Sequence, residues 1–530
     1  DLHINLLNGH IELGDIEINA KDSSFFCHIG TPSARGIGWW QLLWKGVGAH
    51  GALNGAIAEA HSIHVRLQKS MYDVRCSKFK IALPDSLIIA DSLEIRPIVN
   101  DNAFFDECEF RKTRFNMSMP QLKIHGFSLL EQLKGKSFRA SALQVHDATI
   151  NILVNMYKSC EPDSIKIKSS SNLLRTLSEK IQIDSFNIEN TNVEYGESAA
   201  RDSIPKDGYK FHCGQLHASV NDSNMIVHDF RIDPLLDVND FFDASKYRRT
   251  RVNALFPQLM VYGIDYPGLL KAEKFQSRFV KAQDPEVGIY VSMYKTSDQS
   301  GKTKIPMPNE IMYTVDQIVQ IDSVRAVNGH IKYGEYYQLR SKPAPITFTN
   351  MNALIRNVSN NNGRGDTMDI QLNSEFMDGG KLTMQLSSPL TSPKFSFKAS
   401  GNLSPIKLSK FNTFLTVAEK VELTSGTVQS SFFNLKVDNG KASGTVGVEY
   451  KDFKLAFLDK ETKSSKGVFN IIKSFLANTF KFNGENQRDK HGKLKLGKIK
   501  YTRKPGDTFI QVVWFSVRSG VADVIGFPQR

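Results

Sequence analysis

Apolar and polar residues alternate with a period of two along most of this chain. Leu2, Ile4 and Leu6 are followed by Ile11 and Leu13, then by Ile16 and Ile18. Farther on come Ile181 and Ile183, Phe186 and Ile188, Val193 and Tyr195, and near the end Val446 and Val448. Successive side chains of a strand point to opposite faces, so this pattern predicts half-buried strands with one apolar face. Turn-forming pairs (Asn8-Gly9, Asp378-Gly379, Asn439-Gly440) fall between the runs, as hairpins require. Helical spacing is confined to short pieces at 127–133, 172–180, 309–319, 407–419 and 466–480. In the last, Val468, Ile471, Ile472, Phe475, Leu476 and Phe480 share one stripe.

The chain also repeats itself. A shift of 137 residues places Pro97 on Pro234, Phe104-Phe105 on Phe241-Phe242, and Arg111, Thr113 and Arg114 on Arg248, Thr250 and Arg251. The same shift carries Pro120-Gln121-Leu122 onto Pro257-Gln258-Leu259, Gly126 onto Gly263, and Met156-Tyr157-Lys158 onto Met293-Tyr294-Lys295. After one inserted residue, Gln182-Ile183-Asp184-Ser185 meets Gln320-Ile321-Asp322-Ser323, and Tyr195-Gly196-Glu197 meets Tyr333-Gly334-Glu335. Tyr72 and Cys76 land on Tyr209 and Cys213, so the duplication covers roughly 72–360. No Pro/Gly/Ser-rich linker divides the copies, which points to continuous strand stacking rather than two detached sandwiches. The expected fold is all-β with a few short helices, an elongated repeating array with an open face. Its expected parts are 1–71 with a Trp-rich short helix, repeats at 72–208 and 209–345, and a C-terminal region at 346–530. Alternation nominates Ile181, Ile183, Val193, Tyr195, Ile321, Ile331, Val446 and Val448 as lining of a shared concavity.

At 530 residues the chain exceeds the size at which one compact core stops growing, about 250–300 residues. With 41% hydrophobic and 23% charged residues it is composed like a folded protein, which excludes bulk disorder. Five cysteines (Cys27, Cys76, Cys108, Cys160, Cys213) contain no Cys-x-x-Cys, which argues against zinc ribbons and thioredoxin-like motifs. No run approaches the roughly 18 consecutive apolar residues of a transmembrane helix.

Net charge is +12, and 441–530 holds 14 Lys and 4 Arg against 8 Asp and Glu, or +10. Such one-ended basicity points to an anionic partner surface, a membrane or a nucleic acid, with a solvated basic β-surface as the plainer explanation. A nucleic-acid partner would call for aromatics interleaved with this charge on a compact module, and none is expected. Lys466, Phe469, Ile472, Lys473, Phe475, Phe480 and Lys481 are candidate membrane contacts, the alternative being a packed core stripe. Trp39, Trp40 and Trp44 are a second candidate, because indoles favour the membrane interface; the alternative is an aromatic cap.

Catalytic signatures are missing. No Walker lysine loop, Gly-x-Ser-x-Gly elbow or His-Glu-x-x-His occurs. His61 and His64 would point to opposite faces of a regular strand. Tyr-Gly-Glu occurs twice, which fits a turn built in duplicate better than one active site. No enzyme activity, cofactor or metal is expected.

In its C-terminal third the sequence resembles the AsmA family of bacterial envelope proteins. The similar stretch is 397–455, where Ser425-Gly426, Gly444-Thr445-Val446 and Tyr450-Lys451-Asp452-Phe453 fit a strand, short helix, Ser-Gly turn and long hairpin. The close at 509–525, with Trp514 and Ser519-Gly520, and the opening at 7–18 are also similar to that family. The resemblance implies a taco-shaped β-groove with an apolar concave face. It further implies a periplasmic location with an N-terminal inner-membrane anchor lying outside this chain. Function on this basis is binding or conduction of phospholipid between the inner and outer membranes, supporting outer-membrane integrity, with possible envelope protein partners. The alternative is a scaffold or assembly factor for outer-membrane proteins that acts by β-strand addition.

Overall fold

The computed structural model describes all residues except 1, 6, 46–50, 128–137, 160–180, 202–206, 272, 299–304, 316, 362–366, 459–482 and 527–530. Among the described residues are 25 strands, all in one sheet, with a few short helices. The chain divides into two compact units, Asp1–Leu235 with Tyr262–Glu273, and Leu236–Val261 with Lys274–Arg530.

Unit 1 is mostly a meander. Strands Phe25–Arg35, Ile57–Leu67, Tyr72–Ala82, Leu87–Pro97 and Thr113–His125 each pair antiparallel with the one before. The order then changes. Phe138–His146 and Thr149–Asn155 both pair antiparallel with Thr113–His125, and both lie parallel to the long strand Ile181–Ser198. Asp207–Ser219 and Asn224–Pro234 return to antiparallel pairing. Unit 2 repeats the same junction: Lys274–Gln283 and Glu286–Ser292 lie parallel to Ile318–Tyr336. From Ala344–Ser359 the ladder continues antiparallel through Met368–Phe376, Gly380–Ser388, Phe397–Leu403, Val421–Asp438, Lys441–Phe457 and Leu496–Thr502.

The repeated motifs have a structural cause. Phe104-Phe105 and Phe241-Phe242 sit in helices Asp101–Asp106 and Val238–Asp243, capped by Asn100 and Asp237, with all four rings buried. Each helix, like any helix, leaves its last carbonyls without an intrahelical partner. Lys158 supplies one in one copy, donating to the Phe105 carbonyl at 2.6 Å and also to that of Cys108. Lys295 does so in the other, donating to the Phe242 and Ser245 carbonyls. Gly126 and Gly263 both carry positive φ, 67° and 69°. Tyr-Gly-Glu is not the turn expected from sequence. Both copies lie inside long strands, where residues two apart share a face, and Tyr195 and Tyr333 each donate to their own Glu197 or Glu335 at 2.7 Å.

The helix expected at 309–319 is shorter, Pro308–Thr314, because a strand starts at Ile318. At 407–419 a 3₁₀ turn, Leu408–Phe411, runs into helix Asn412–Ala418 as expected, and the Trp-rich helix is Trp39–Lys45. The expected helices at 172–180 and 466–480 lie outside the described residues, as does most of 127–133. The longest described helix, Phe509–Ile525, was not expected. It opens on a Thr508/Gln511 capping box and ends at Gly526 with φ 100°. Its buried line Val512, Ser516, Gly520 and Val524 recurs every four residues, and small side chains let it lie close on the sheet. Ser519 and Asp523 accept the backbone N–H groups of Lys500 and Lys498 at 3.0 and 2.8 Å, which caps donors of the last strand.

Candidate apolar face of the first unit

Cross-strand partners in a sheet share a face, so the registers of unit 1 define which side chains stand together. One row runs Ala58, Ile81, Ile88, Ile124, Leu143, Phe186, Ala218 and Met225. Its neighbour runs Ala60, Phe79, Ala90, Leu122, Val145, Ile188, Leu216 and Val227. Farther along the strands a third row runs Val65, Val74, Ile95, Met117, Ile150, Val193, Phe211 and Ile232. All three rows are entirely apolar.

Between the second and third rows the parity of the apolar positions changes. Ile88 and Ala90 give way to Leu93 and Ile95; Phe186 and Ile188 give way to Val193 and Tyr195; Met225 and Val227 give way to Phe230 and Ile232. At that level the backbone carries a left-handed residue: Ser62, Ser92, Asp147, Asn190 and Asp229 have φ of 47°, 50°, 53°, 46° and 51°. One residue outside the extended region turns the alternation by one step. The slip therefore keeps the apolar side chains of both halves on one face. Unit 2 has the same device at Asp284 and Asn328, with φ of 51° and 55°. Asn190 donates to Asp147 at 2.5 Å and Asn328 to Asp284 at 2.7 Å, tying the slips of adjacent strands together. Short polar side chains tolerate this conformation best.

The opposite face is polar and internally paired. Glu59 meets Lys78 and Lys80, each at 3.5 Å, and Lys210 meets Glu194 at 3.4 Å. Asp73 is buried among Arg66 at 2.9 Å, His64 at 3.2 Å and Arg75 at 3.3 Å. The Arg66 hydrogen bond, helped by His64, holds the Asp73 carboxyl down at about 2 against the desolvation that opposes it. The slip at Ser62 also overturns the expectation that His61 and His64 face apart, since residues three apart across it share a side. His64 is engaged by Asp73, and among the described residues no group of three His, Cys, Asp or Glu is set to hold a metal.

Among the described residues the apolar face is thinly covered. Every residue of the third row is only half-buried, and in the first two the fully buried members are Ala90, Val145, Ala218 and Val227. The described α-helices of this unit, Trp39–Lys45, Asp101–Asp106 and Tyr266–Leu270, are five to seven residues long. Unit 2 differs. There Phe397, Phe414, Leu435, Val446 and Ile499 form a closed core with helices Asn412–Ala418 and Phe509–Ile525.

The sequence candidates distribute accordingly. Val193 lies in the third row, and Tyr195 stands opposite Ile152 and Tyr209. Burial, reinforced by Glu197, pushes the Tyr195 phenol up to about 12. Ile181 and Ile183 stand opposite Phe138 and Ala140 at the strand start. In unit 2, Ile321 is half-buried opposite Val358, and Ile331 opposite Phe348. Val446 and Val448 do not line an open surface: both are buried, and Val446 lies directly under Gly520 of the last helix. Trp39 is half-buried, whereas Trp40 and Trp44 are 73% and 81% exposed, with Leu43 beside them at 69%. Lys466, Phe469, Ile472, Lys473, Phe475, Phe480 and Lys481 lie outside the described residues. Cys27, Cys76, Cys108 and Cys213 are free thiols, and burial pushes the last three up. Among the described residues no helix is long and apolar enough to cross a membrane. Neither a model of a known protein family nor a curated protein sequence matches this chain.

Proposed function

We propose that this protein is a lipid-binding groove protein of the cell envelope, with acyl chains lying across the apolar face of unit 1. The observation that carries this is the set of three apolar rows, mostly half-buried among the described residues, backed by an ion-paired polar face. Eight strands about 4.8 Å apart make each row about 34 Å long, enough for an extended hydrocarbon chain. Each methylene moved from water onto such a surface gains about 0.8 kcal/mol, without any directional contact. A face of this kind suits a passive carrier or conduit for phospholipid better than a catalyst. The resemblance to AsmA-like proteins points the same way, and with it a periplasmic setting between two membranes. Exposed Trp40, Leu43 and Trp44 would suit contact with a membrane interface. Strand addition is the less favoured alternative, because the Lys498 and Lys500 amides of the last strand are already taken by Asp523 and Ser519.

The test is mass spectrometry of organic extracts from purified protein. Wild type is expected to carry phospholipid. Ile95→Asp with Val193→Asp is expected to lose most of it while strand content by circular dichroism persists. Wild type free of lipid, or an unchanged lipid load in the double variant, would remove the basis for the groove.

A further inference from the structure

The polar side of unit 2 carries an unbalanced line of cations. Registers set Arg356 opposite Asp369, Asp369 opposite Ser387, Ser387 opposite Lys398, Lys398 opposite Lys436, Lys436 opposite Ser443, and Ser443 opposite Lys500. Arg356, Lys398, Lys436 and Lys500 are exposed, and they alternate along their strands with buried Ala399, Leu435 and Ile499. The next row along the same face is Gln371, Gln385, Ser400, Asn434, Thr445 and Lys498. The first row up to Ser443, with Gln371, Gln385, Ser400 and Asn434 of the second, lines a shallow cleft of about 600 Å³, and Lys500 stands on the adjoining strand opposite Ser443.

Lys398 and Lys436 are direct cross-strand partners, an arrangement of like charges that destabilises a sheet. Among the described residues no carboxylate pairs with the ammonium of Lys398, Lys436 or Lys500. Of the carboxylates on this face, Asp369 stands at the Arg356 end, Glu375 stands opposite Lys381, and Asp438 accepts from Ser396 at 3.4 Å. Unit 1 treats its polar face in the opposite way, with Glu59 and Asp73 each shared among several cations. Stability alone therefore leaves the lysine row unexplained, whereas an anion laid over it would offset the repulsion.

We propose that this face binds a linear anionic polysaccharide running across the strands. Its acidic groups would rest on Lys398, Lys436 and Lys500, and its hydroxyls would hydrogen-bond Gln371, Gln385 and Asn434. Three features select this class. Lysines one and two strand widths apart, about 5 and 10 Å, match a polymer charged on each or every second monomer. Amides and hydroxyls fill the adjoining row, as sugar hydroxyls require. No aromatic side chain lines the cleft, so nucleic-acid bases have no stacking platform, and a concave surface does not seat against a flat bilayer.

The full chain should be titrated at fixed salt with polygalacturonate and with heparin. Binding is expected to weaken about tenfold or more in the Lys398→Gln, Lys436→Gln, Lys500→Gln triple variant, since three charged contacts are lost. A matched triple (Lys451→Gln, Lys490→Gln, Lys493→Gln) removes the same net charge elsewhere in the unit and is expected to bind nearly as wild type. All six positions are exposed, so both variants should fold, with unchanged circular dichroism. Equal losses in the two triples would reduce the effect to bulk charge and overturn the proposal. So would absence of glycan binding, or equally tight binding of poly(dT) or phosphatidylglycerol vesicles through the same three lysines.

Discussion

Asp73 sits at the centre of a charged cluster on the polar side of unit 1. It is buried, yet it stays ionised because Arg66 and Arg75 donate to it and His64 lies 3.2 Å away. Its folded pKa, about 2, lies below the unfolded value near 3.8, so its stabilisation is present above pH 4 and lost as pH falls toward 2. The full shift corresponds to about 2 kcal/mol, and solvent around Arg66 reduces this to about 1–2 kcal/mol. Asp73→Asn is therefore expected to lower stability at pH 7 by about that amount and to flatten the acid limb between pH 4 and pH 2. Urea midpoints measured across that range check both effects. An unchanged acid limb would mean that the cluster contributes nothing.

Elements are held here by contacts that leave no room for a side chain. Helix Phe509–Ile525 crosses strand Leu496–Thr502 so closely that a Cβ on Gly497 would stand 1.9 Å from the Gly520 carbonyl oxygen. The obstacle is backbone and cannot rotate away. Gly497→Ala is expected to lift the helix and destabilise unit 2 by about 1–3 kcal/mol, as overpacking does. Hydrogen exchange would then show protection lost at Lys498 and Lys500, whose amides depend on Asp523 and Ser519. Retained protection at both would show that the helix tolerates the methyl group. The same helix illustrates a limit of reading periodicity. Val512, Val513, Trp514, Phe515 and Val517 make it apolar on nearly all sides, and a stripe shows only where one side faces water.

At the scale of the whole molecule, two compact units with differently treated apolar faces imply two thermal responses. Unit 2 buries aromatics from strands and helices together, whereas unit 1 leaves its aliphatic rows half-buried. Calorimetry is expected to resolve two transitions, unit 1 melting first. Added phospholipid should raise the lower transition and leave the upper one in place, because a ligand stabilises only the unit that binds it. A single transition insensitive to lipid would contradict both the division and the lipid site.

Strand content, the turns at Asn8-Gly9, Asp378-Gly379 and Asn439-Gly440, and the duplication were all legible in the sequence, because a strand writes its two faces into alternate residues and a repeat writes itself twice. The slip at Ser62, Ser92, Asn190 and Asp229 was visible too, as apolar positions changing parity beside a short polar residue, but simple alternation does not look for it. Other features belonged to the tertiary structure alone. That Phe138–His146 and Thr149–Asn155 run parallel to Ile181–Ser198 depends on how the chain crosses between them, and parallel and antiparallel strands carry the same pattern. The partners of Lys158 are carbonyls about 50 residues earlier in the chain, with no side chain to announce them. Val193 and Val446 look alike as alternating valines, yet one lies in a half-buried row and the other under a helix. Alternation states that a side chain faces the apolar side of a sheet; what comes to lie over that side is decided by distant segments, through packing.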